Sequence, residues 1–281
     1  MPRRPAPAES DDQPEDGLPA GAQAPPTGFS QSLERGLTIL SSFDEARPVQ
    51  GIADLARAVG LNKSTTYRYV ETLAKLGYVQ QDPGTKKYSL GPRVVDLGFA
   101  AINSMEITRV AGYHLQALSN ETGYTVSMAV LDGPDIVYVD RRRSGRASSF
   151  AMGLHLHVGS RLPAYCTSMG QVLLSQLPAD TLDAYLGRVQ LIARTASTTT
   201  TTAKLRKRLK AVREADHALL DQELEVGLRS IAVPVRDARG TVIAAMNVST
   251  HASQVALDEM QQRFLPVLLQ GARSLSTVLL G

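Results

Sequence analysis

A single cysteine, Cys166, and no tryptophan in 281 residues remove several chemistries at once. One thiol excludes an internal disulfide and any zinc site built on paired cysteines. Long apolar stretches are missing too. The longest uninterrupted run, Val242 to Met246, is far short of the ~18 residues that a membrane-crossing helix needs. No apolar segment follows Met1-Pro2-Arg3-Arg4-Pro5, so no secretory signal is expected. An excess of charge is also lacking: 30 Lys+Arg against 27 Asp+Glu leave +3. That balance permits a nucleic-acid partner without demanding one. A cytoplasmic protein with no membrane association is the expectation, and the length suggests two domains.

The small charge is not concentrated anywhere. Residues 1–28 hold two Arg against five acids, residues 30–90 eight Lys+Arg against six, and the remainder twenty against sixteen. Charge alone therefore identifies no binding face. Residues 1–28 are Pro, Ala, Gly and acid with almost no large apolar side chain. Such a segment cannot bury enough surface to offset its ordering entropy, and a disordered tail is expected.

Patterning begins near Ser30. Leu33, Gly36, Leu37 and Leu40 recur at i, i+3, i+4 and i+7, which predicts one apolar helix face ending near Phe43. Ile52 to Val59 predicts a second helix, stopped by Gly60, where a left-handed residue costs little only for glycine. Leu61 plugs the corner and Asn62 caps a third helix to about Leu76. Two short helices joined by a Gly-containing turn have helix-turn-helix spacing. In the third helix Thr66, Tyr69, Val70 and Leu73 share the inward side, while Ser64, Tyr67, Arg68, Glu71 and Lys75 lie opposite. A polar face with hydroxyls and an arginine near a helix N-terminus suits major-groove reading. Asn62, Ser64, Thr65 and Tyr67 can bond phosphates, Arg68 can bond guanine bidentately, and Lys63 adds phosphate affinity. The bland alternative is a solvated face of an amphipathic helix. The next segment favours DNA. Tyr78–Gln81 and Lys86–Leu90 flank Asp82-Pro83-Gly84-Thr85, a turn signal, predicting a wing with Lys86 and Lys87 at its tip.

With these residues in place, the chain resembles the IclR family of bacterial transcriptional regulators. Ser30–Leu37, Gly60–Thr65 and Thr85–Gly91 carry the likeness, which continues through Gly159–Ala164 and Gly227–Ala232. The Arg47-Pro48 turn, Thr65–Arg68 and Val158–Ala164 are most similar to the branch that answers to protocatechuate, 4-hydroxybenzoate or β-ketoadipate. The implied fold class is α+β. A winged helix-turn-helix (29–91) is joined by a linker helix (92–104) to a GAF-like antiparallel-sheet effector domain (105–281).

The second half fits that outline by its own pattern. Val94, Val95, Leu97, Gly98 and Ile102 suit the linker helix, and Arg109–Glu121 another. Thr125–Leu131, Ile136–Arg142 and Ser148–Met152 read as strands, the first two joined by the turn Asp132-Gly133-Pro134-Asp135. Ala164–Gln176 reads as a single helix after a corner. Gly227–Arg236 and Thr241–Thr250 read as a strand pair, followed by a helix from Ala256 to Leu280. Helices gathered on one face of the sheet are expected.

Several residues invite other readings. Cys166-Thr167-Ser168-Met169-Gly170 approaches a nucleophile elbow but lacks its first glycine and a strand leading into Ser168. His155 and His157 share a strand face, but no carboxylate motif or second cysteine completes a metal set. Cys166 reads as a small buried hydrophobe, with a redox or nucleotide sensor as the rival reading. The six basic residues from Lys204 to Arg213 read as a charged helix face behind the polar Thr198–Thr202 loop. No catalytic constellation is complete and no cofactor is called for; an enzyme with an accessory DNA-binding domain is the remaining rival.

For an effector, the resemblance implies a pocket between the corner-plus-helix segment and the late strands. It places Thr167, Ser168 and Met169 in the first part, Asp221 and Ser230 in the middle, Asn247 and Ser249 on the last strand, and Met152 on an apolar wall. Hydroxyls, an amide and a carboxylate can bond the phenol and acid groups of a small aromatic acid. Its carboxylate needs a cation or several donors, because an unpaired buried charge is costly. Arg141-Arg142-Arg143 ends a strand, with Arg141 and Arg143 on one face and Arg142 on the other. Arg141 is the choice, although alternation alone leaves open which face is inward. The partners expected are double-stranded operator DNA, a small aromatic acid, and further copies of the chain in a homodimer or homotetramer, since one recognition helix reads only a half-site.

Overall fold

The structure, a computed structural model, describes residues 28–44, 46–143 and 156–278. They fall into two units that divide between Leu97 and Gly98. The expected tail, the expected strand Ser148–Met152 and His155 lie outside the described residues.

The first unit contains α1 (Gln31–Ser41), α2 (Ile52–Val59), α3 (Lys63–Lys75), β1 (Val79–Gln81) and β2 (Tyr88–Leu90), with α4 (Arg93–Ser104) beginning at its end. Local chemistry sets the boundaries. The Ser30 side chain accepts from the Leu33 amide to start α1, and Gly60 stops α2 in the left-handed region at φ 68°. The Asn62 side chain accepts from the Thr65 amide at 2.8 Å to start α3. Ile39, Phe43, Leu55, Val70, Val79 and Tyr88 form the core.

That core corrects the expected face of α1. Leu33 and Leu37 are 63% and 54% exposed, whereas Ile39 is fully buried. Leu40 packs partly against the core and Phe43 lies just beyond the helix. The buried stripe belongs to the C-terminal half of α1, and period alone cannot say which of two overlapping apolar stripes finds a partner.

In the second unit α5 (Glu106–Thr122) leads into β3 (Thr125–Asp132), β4 (Asp135–Arg142) and the short β5 (Arg161–Pro163). A single 3-10 turn, Ala164–Cys166, precedes α6 (Ser168–Ser175). There follow α7 (Ala179–Arg188), α8 (Thr202–Ala215), β6 (Ala218–Asp221), β7 (Leu228–Arg236) and β8 (Val242–His251). The chain ends in α9 (Leu257–Glu259), a π-helical turn at Met260–Phe264, and α10 (Leu265–Val278). Six antiparallel strands lie in the order β5-β4-β3-β8-β7-β6.

Helices cover both faces of this sheet, not one. Ile107, Leu115, Met128, Val139, Ile231, Met246, Phe264 and Leu268 fill the layer beneath α5 and α10. Ala129, Tyr138, Met169, Leu174, Leu205, Leu209 and Leu220 fill the layer beneath α6 and α8. The central strands read as nearly continuous apolar runs because both their faces are buried. The single helix expected over Ala164–Gln176 is interrupted at Thr167, where the backbone is extended (φ −119°, ψ 144°) and the side-chain hydroxyl caps α6 by accepting from the Gly170 amide. Gly170 is required there, because a Cβ would run into the Ala164 backbone. The strands β5 and β6 are too short to show a period.

Candidate functional site

In the first unit the inward and outward faces of α3 separate as the pattern predicts. Thr66 and Val70 are fully buried, while Lys63, Ser64, Tyr67, Arg68, Glu71 and Lys75 are exposed. Asn62 is partly committed: its side-chain oxygen caps the helix. Thr65 is half-buried and lines a cleft with Ser32, Arg68, Tyr69 and Thr72. Tyr69 is drawn below its usual acidity range by its hydrogen bonds to Ser32 and Arg35 and by nearby positive charge. Sequence reading did not single out Ser32 or Thr72; Thr72 follows Arg68 by one turn of α3, whereas Ser32 is brought there by the packing of α1 on α3. In the wing, the Asp82 side chain accepts from the Thr85 amide and hydroxyl at 2.6 and 2.8 Å. Lys86 takes a left-handed φ of 59°. Both Lys86 and Lys87 are exposed.

The second unit holds a cavity on the α6 face of the sheet, and strand register builds its floor. Arg141 pairs with Ser127, Ser127 with Asn247, and Asn247 with Ala232, forming one row across β4, β3, β8 and β7. Beside it runs a second row of Ser249, Ser230 and Leu220. The start of α6 supplies Cys166, Thr167, Ser168 and Met169, and Tyr138, Leu156, Glu223, Leu224 and Leu228 complete the lining. The remaining cavity is narrow, about 20 Å³. That holds one water.

A bulge decides which arginine faces this cavity. The β3–β4 register shifts between Met128 and Ala129, so Tyr138 pairs with Ala129 but Asp140 pairs with Met128. Strict alternation from Tyr138 would turn Arg142 inward; the extra residue, Val139, turns Arg141 inward instead. Arg142 lies on the α5 side, bonded to Asp140 at 2.8 Å and packed against Gly112. Arg141 donates to the Ser127 hydroxyl at 3.2 Å. Partial burial presses its guanidinium below the usual value, the direction expected of a cation that has lost part of its hydration.

Of the residues expected at an effector pocket, Arg141, Thr167, Ser168, Met169, Ser230, Asn247 and Ser249 are brought together here. Met152 lies outside the described residues. Asp221 is a correction. It pairs with Arg229 across β6–β7, on the face opposite Leu220, and accepts from Arg229 Nε at 2.7 Å. The carboxylate in the cavity belongs to Glu223, 4% exposed and 3.3 Å from Arg208. Arg208 stays on the exposed, charged face of α8, and only its guanidinium tip meets that carboxylate. Missing β6 concealed Glu223, since strand and loop parity could not be assigned. Burial pushes the Glu223 carboxyl up, against the opposing pull of Arg208, Thr199 and Gln171.

The polar lining is incompletely satisfied. Ser168 Oγ, Asn247 Oδ1 and Glu223 Oε2 are buried without a hydrogen-bond partner among the described residues. Buried polar atoms in a folded protein are normally paired, so three such atoms around one cavity mark a place where water or a polar ligand has partners to meet. Cys166 is buried, and desolvation pushes its thiol up to about 11. That opposes the reactive thiolate a redox sensor needs.

Known proteins share this two-part plan. The model of the IclR C-terminal domain of bacterial transcriptional regulators matches residues 99–277, and the IclR helix-turn-helix model matches residues 32–83. Over 253 residues the chain is 41% identical to the Pca regulon regulatory protein of Pseudomonas putida, covering 90% of this chain and 85% of that one. A solved transcriptional regulator from Rhodococcus sp. RHA1 is 39% identical and superposes with a TM-score of 0.76 over 89% of this chain and 98% of that one. The inducer-binding domain of a PobR double mutant from Acinetobacter, solved as a complex with 3-hydroxy benzoic acid, is 34% identical with a TM-score of 0.54. It covers 60% of this chain and 97% of that one. Matched along nearly all of its described length, the chain belongs to the IclR family of DNA-binding bacterial transcriptional regulators.

Proposed function

We propose that this regulator controls genes of aromatic-acid catabolism and that a small aromatic acid, bound in the α6-side cavity, is its effector. The observation that carries the reading is Arg141. It is a half-buried cation with a hydroxyl for its hydrogen-bond partner, in a cavity whose Ser168 and Asn247 have polar atoms unpaired among the described residues. A ligand carboxylate would satisfy the guanidinium, and the apolar walls of Met169, Leu220, Leu224 and Leu228 suit a ring once they move apart to widen the one-water room between them. The Pca and PobR relatives support this choice of ligand class. The ligand acts by binding one DNA-competent arrangement more tightly than its alternative.

On the DNA side, Asn62, Lys63, Ser64, Thr65, Tyr67 and Arg68 read the operator from α3, and Lys86 and Lys87 hold backbone phosphate from the wing. Residues 92–104 serve as the linker. The regulator works as a homodimer or homotetramer in the cytoplasm. Phe29, Leu33 and Leu37 expose an apolar stripe at α1, and Val95 and Leu97 expose another at the start of α4, surfaces suited to a second copy.

A calorimetric titration of benzoate and the hydroxybenzoates tests the effector assignment. Saturable binding by the parent, lost in Arg141→Met, is the expected result. Binding of no aromatic acid by the parent rejects the ligand class, and undiminished binding by Arg141→Met rejects the site.

A further inference from the structure

We propose that Glu223 makes the cavity selective for a hydroxylated ligand, with its Oε2 accepting a hydrogen bond from a ring hydroxyl while Arg141 holds the ligand's carboxylate. This rests on the aromatic-acid reading above and adds the acceptor that Asp221, turned to the other face, cannot supply.

The main chain at Glu223 is tightly held. The Thr195 hydroxyl donates to the Gln222 carbonyl and the Thr198 hydroxyl to the Glu223 carbonyl, both at 2.6 Å. Gln222, at φ 57°, donates its amide to the Leu228 carbonyl. The loop therefore presents a carboxylate at a defined place instead of letting it swing out to water. Arg208 of α8 stands 3.3 Å from Oε1, while Oε2 is buried without a hydrogen-bond partner among the described residues; Thr199 and Gln171 lie close enough to bear on the carboxyl as well. Gln171 of α6 is beside it, but its amide nitrogen is committed to the Tyr165 carbonyl at 2.9 Å. Among the described residues, one carboxylate oxygen is thus paired and the other is left open to a donor.

Placement separates the two ends of the cavity. Arg141, Ser127 and Asn247 lie in one cross-strand row, which makes that row the anion-binding end. Glu223 projects from the loop beyond β6, off the sheet, where Leu220, Leu224 and Leu228 supply apolar wall. A ring between them would carry a carboxylate at one end and a donor at the other. A ligand without a donor leaves Oε2 as unpaired as it is in the ligand-free chain, whereas a ligand hydroxyl relieves that desolvation cost. A hydroxyl donating to a carboxylate forms the stronger, charge-assisted kind.

The test is calorimetry on the full chain with benzoate, 3-hydroxybenzoate and 4-hydroxybenzoate. The parent is expected to prefer at least one hydroxybenzoate over benzoate by about tenfold or more, the scale of a hydrogen bond to a charged group. In Glu223→Gln, which keeps shape and removes charge, benzoate affinity should hold while that preference collapses toward unity. Glu223→Asp keeps the charge but withdraws it by one methylene; it should lose the preference too, so the result does not depend on one variant folding. Asp221→Asn should retain the parental preference. A parent that binds aromatic acids without hydroxyl preference overturns the inference and leaves the effector class standing. So does a Glu223 variant that weakens all three ligands equally or keeps the preference. A parent that binds none of the three rejects the effector class, and the inference with it.

Discussion

The two units carry function in opposite ways. In the first, the side chains assigned to DNA lie on the outside of α3 and the wing, and the core beneath them is apolar. In the second, the side chains assigned to a ligand lie inside, between a sheet and α6, with polar atoms left unpaired. An exposed functional face costs the fold little, because water satisfies it until DNA arrives. A buried one costs stability continuously, because a desolvated acceptor without a donor is unfavourable. The comparison teaches where each kind of function can be found: by period on a surface, by unmet hydrogen bonds in a core.

The largest effect that would break this contrast is expected at Arg141. Arg141→Met should weaken aromatic-acid binding by about 2–5 kcal/mol, the loss typical when one partner of a buried charge pair is removed. An effect below about 1 kcal/mol, as for a surface arginine, would return Arg141 to the solvated class and erase the difference between the units. On the DNA side, Arg68→Ala should cost about 1–3 kcal/mol of operator binding and relax sequence preference, since one base-reading contact is lost. Competition binding with operator and scrambled duplex measures both.

Asn247→Leu sharpens the contrast further. It removes a buried acceptor without a partner among the described residues and one amide hydrogen bond to Ser249 at 3.0 Å, so the ligand-free protein should hold its stability within about 1 kcal/mol in urea unfolding while ligand binding falls. A comparable outward substitution on α3, Tyr67→Ser, should leave unfolding within about 0.5 kcal/mol. Marked destabilisation by Asn247→Leu would show that Asn247 supports the fold instead of awaiting a guest. In the wing, Lys86→Ala and Lys87→Ala should each flatten the salt dependence of DNA binding by roughly one unit of slope. They should do so equally on operator and random DNA.

The smallest effect is one of pH. Burial raises the Glu223 carboxyl above its ordinary value in the folded chain, so the folded state holds a proton more firmly than the unfolded one. Its stabilising contribution is complete below the unfolded pKa and fades as pH rises through the folded value. Glu223→Gln cannot titrate, so urea unfolding of the variant should lose that part of the pH slope. A slope unchanged from the parent would mean that Arg208 cancels the burial.

Much of the architecture follows from the chain alone. Gly60, the Asn62 cap and the alternation of Thr66, Tyr69, Val70 and Leu73 are local signals, so the helix-turn-helix needed no tertiary knowledge. The turn at Asp132–Asp135 and the alternation of Met246 and Val248 with Asn247 and Ser249 are local in the same sense. Other choices required the assembled fold. Whether Leu37 or Ile39 of α1 is buried depends on which part of the helix meets α2 and α3. Whether Arg141 or Arg142 enters the cavity depends on a bulge at Val139, and one extra residue reverses every side chain beyond it. Whether Asp221 or Glu223 supplies the carboxylate depends on β6, four residues long and silent in the pattern. Periodicity fixes the relative sides of residues within one element; only the packing of that element against others assigns those sides to core, cavity or water.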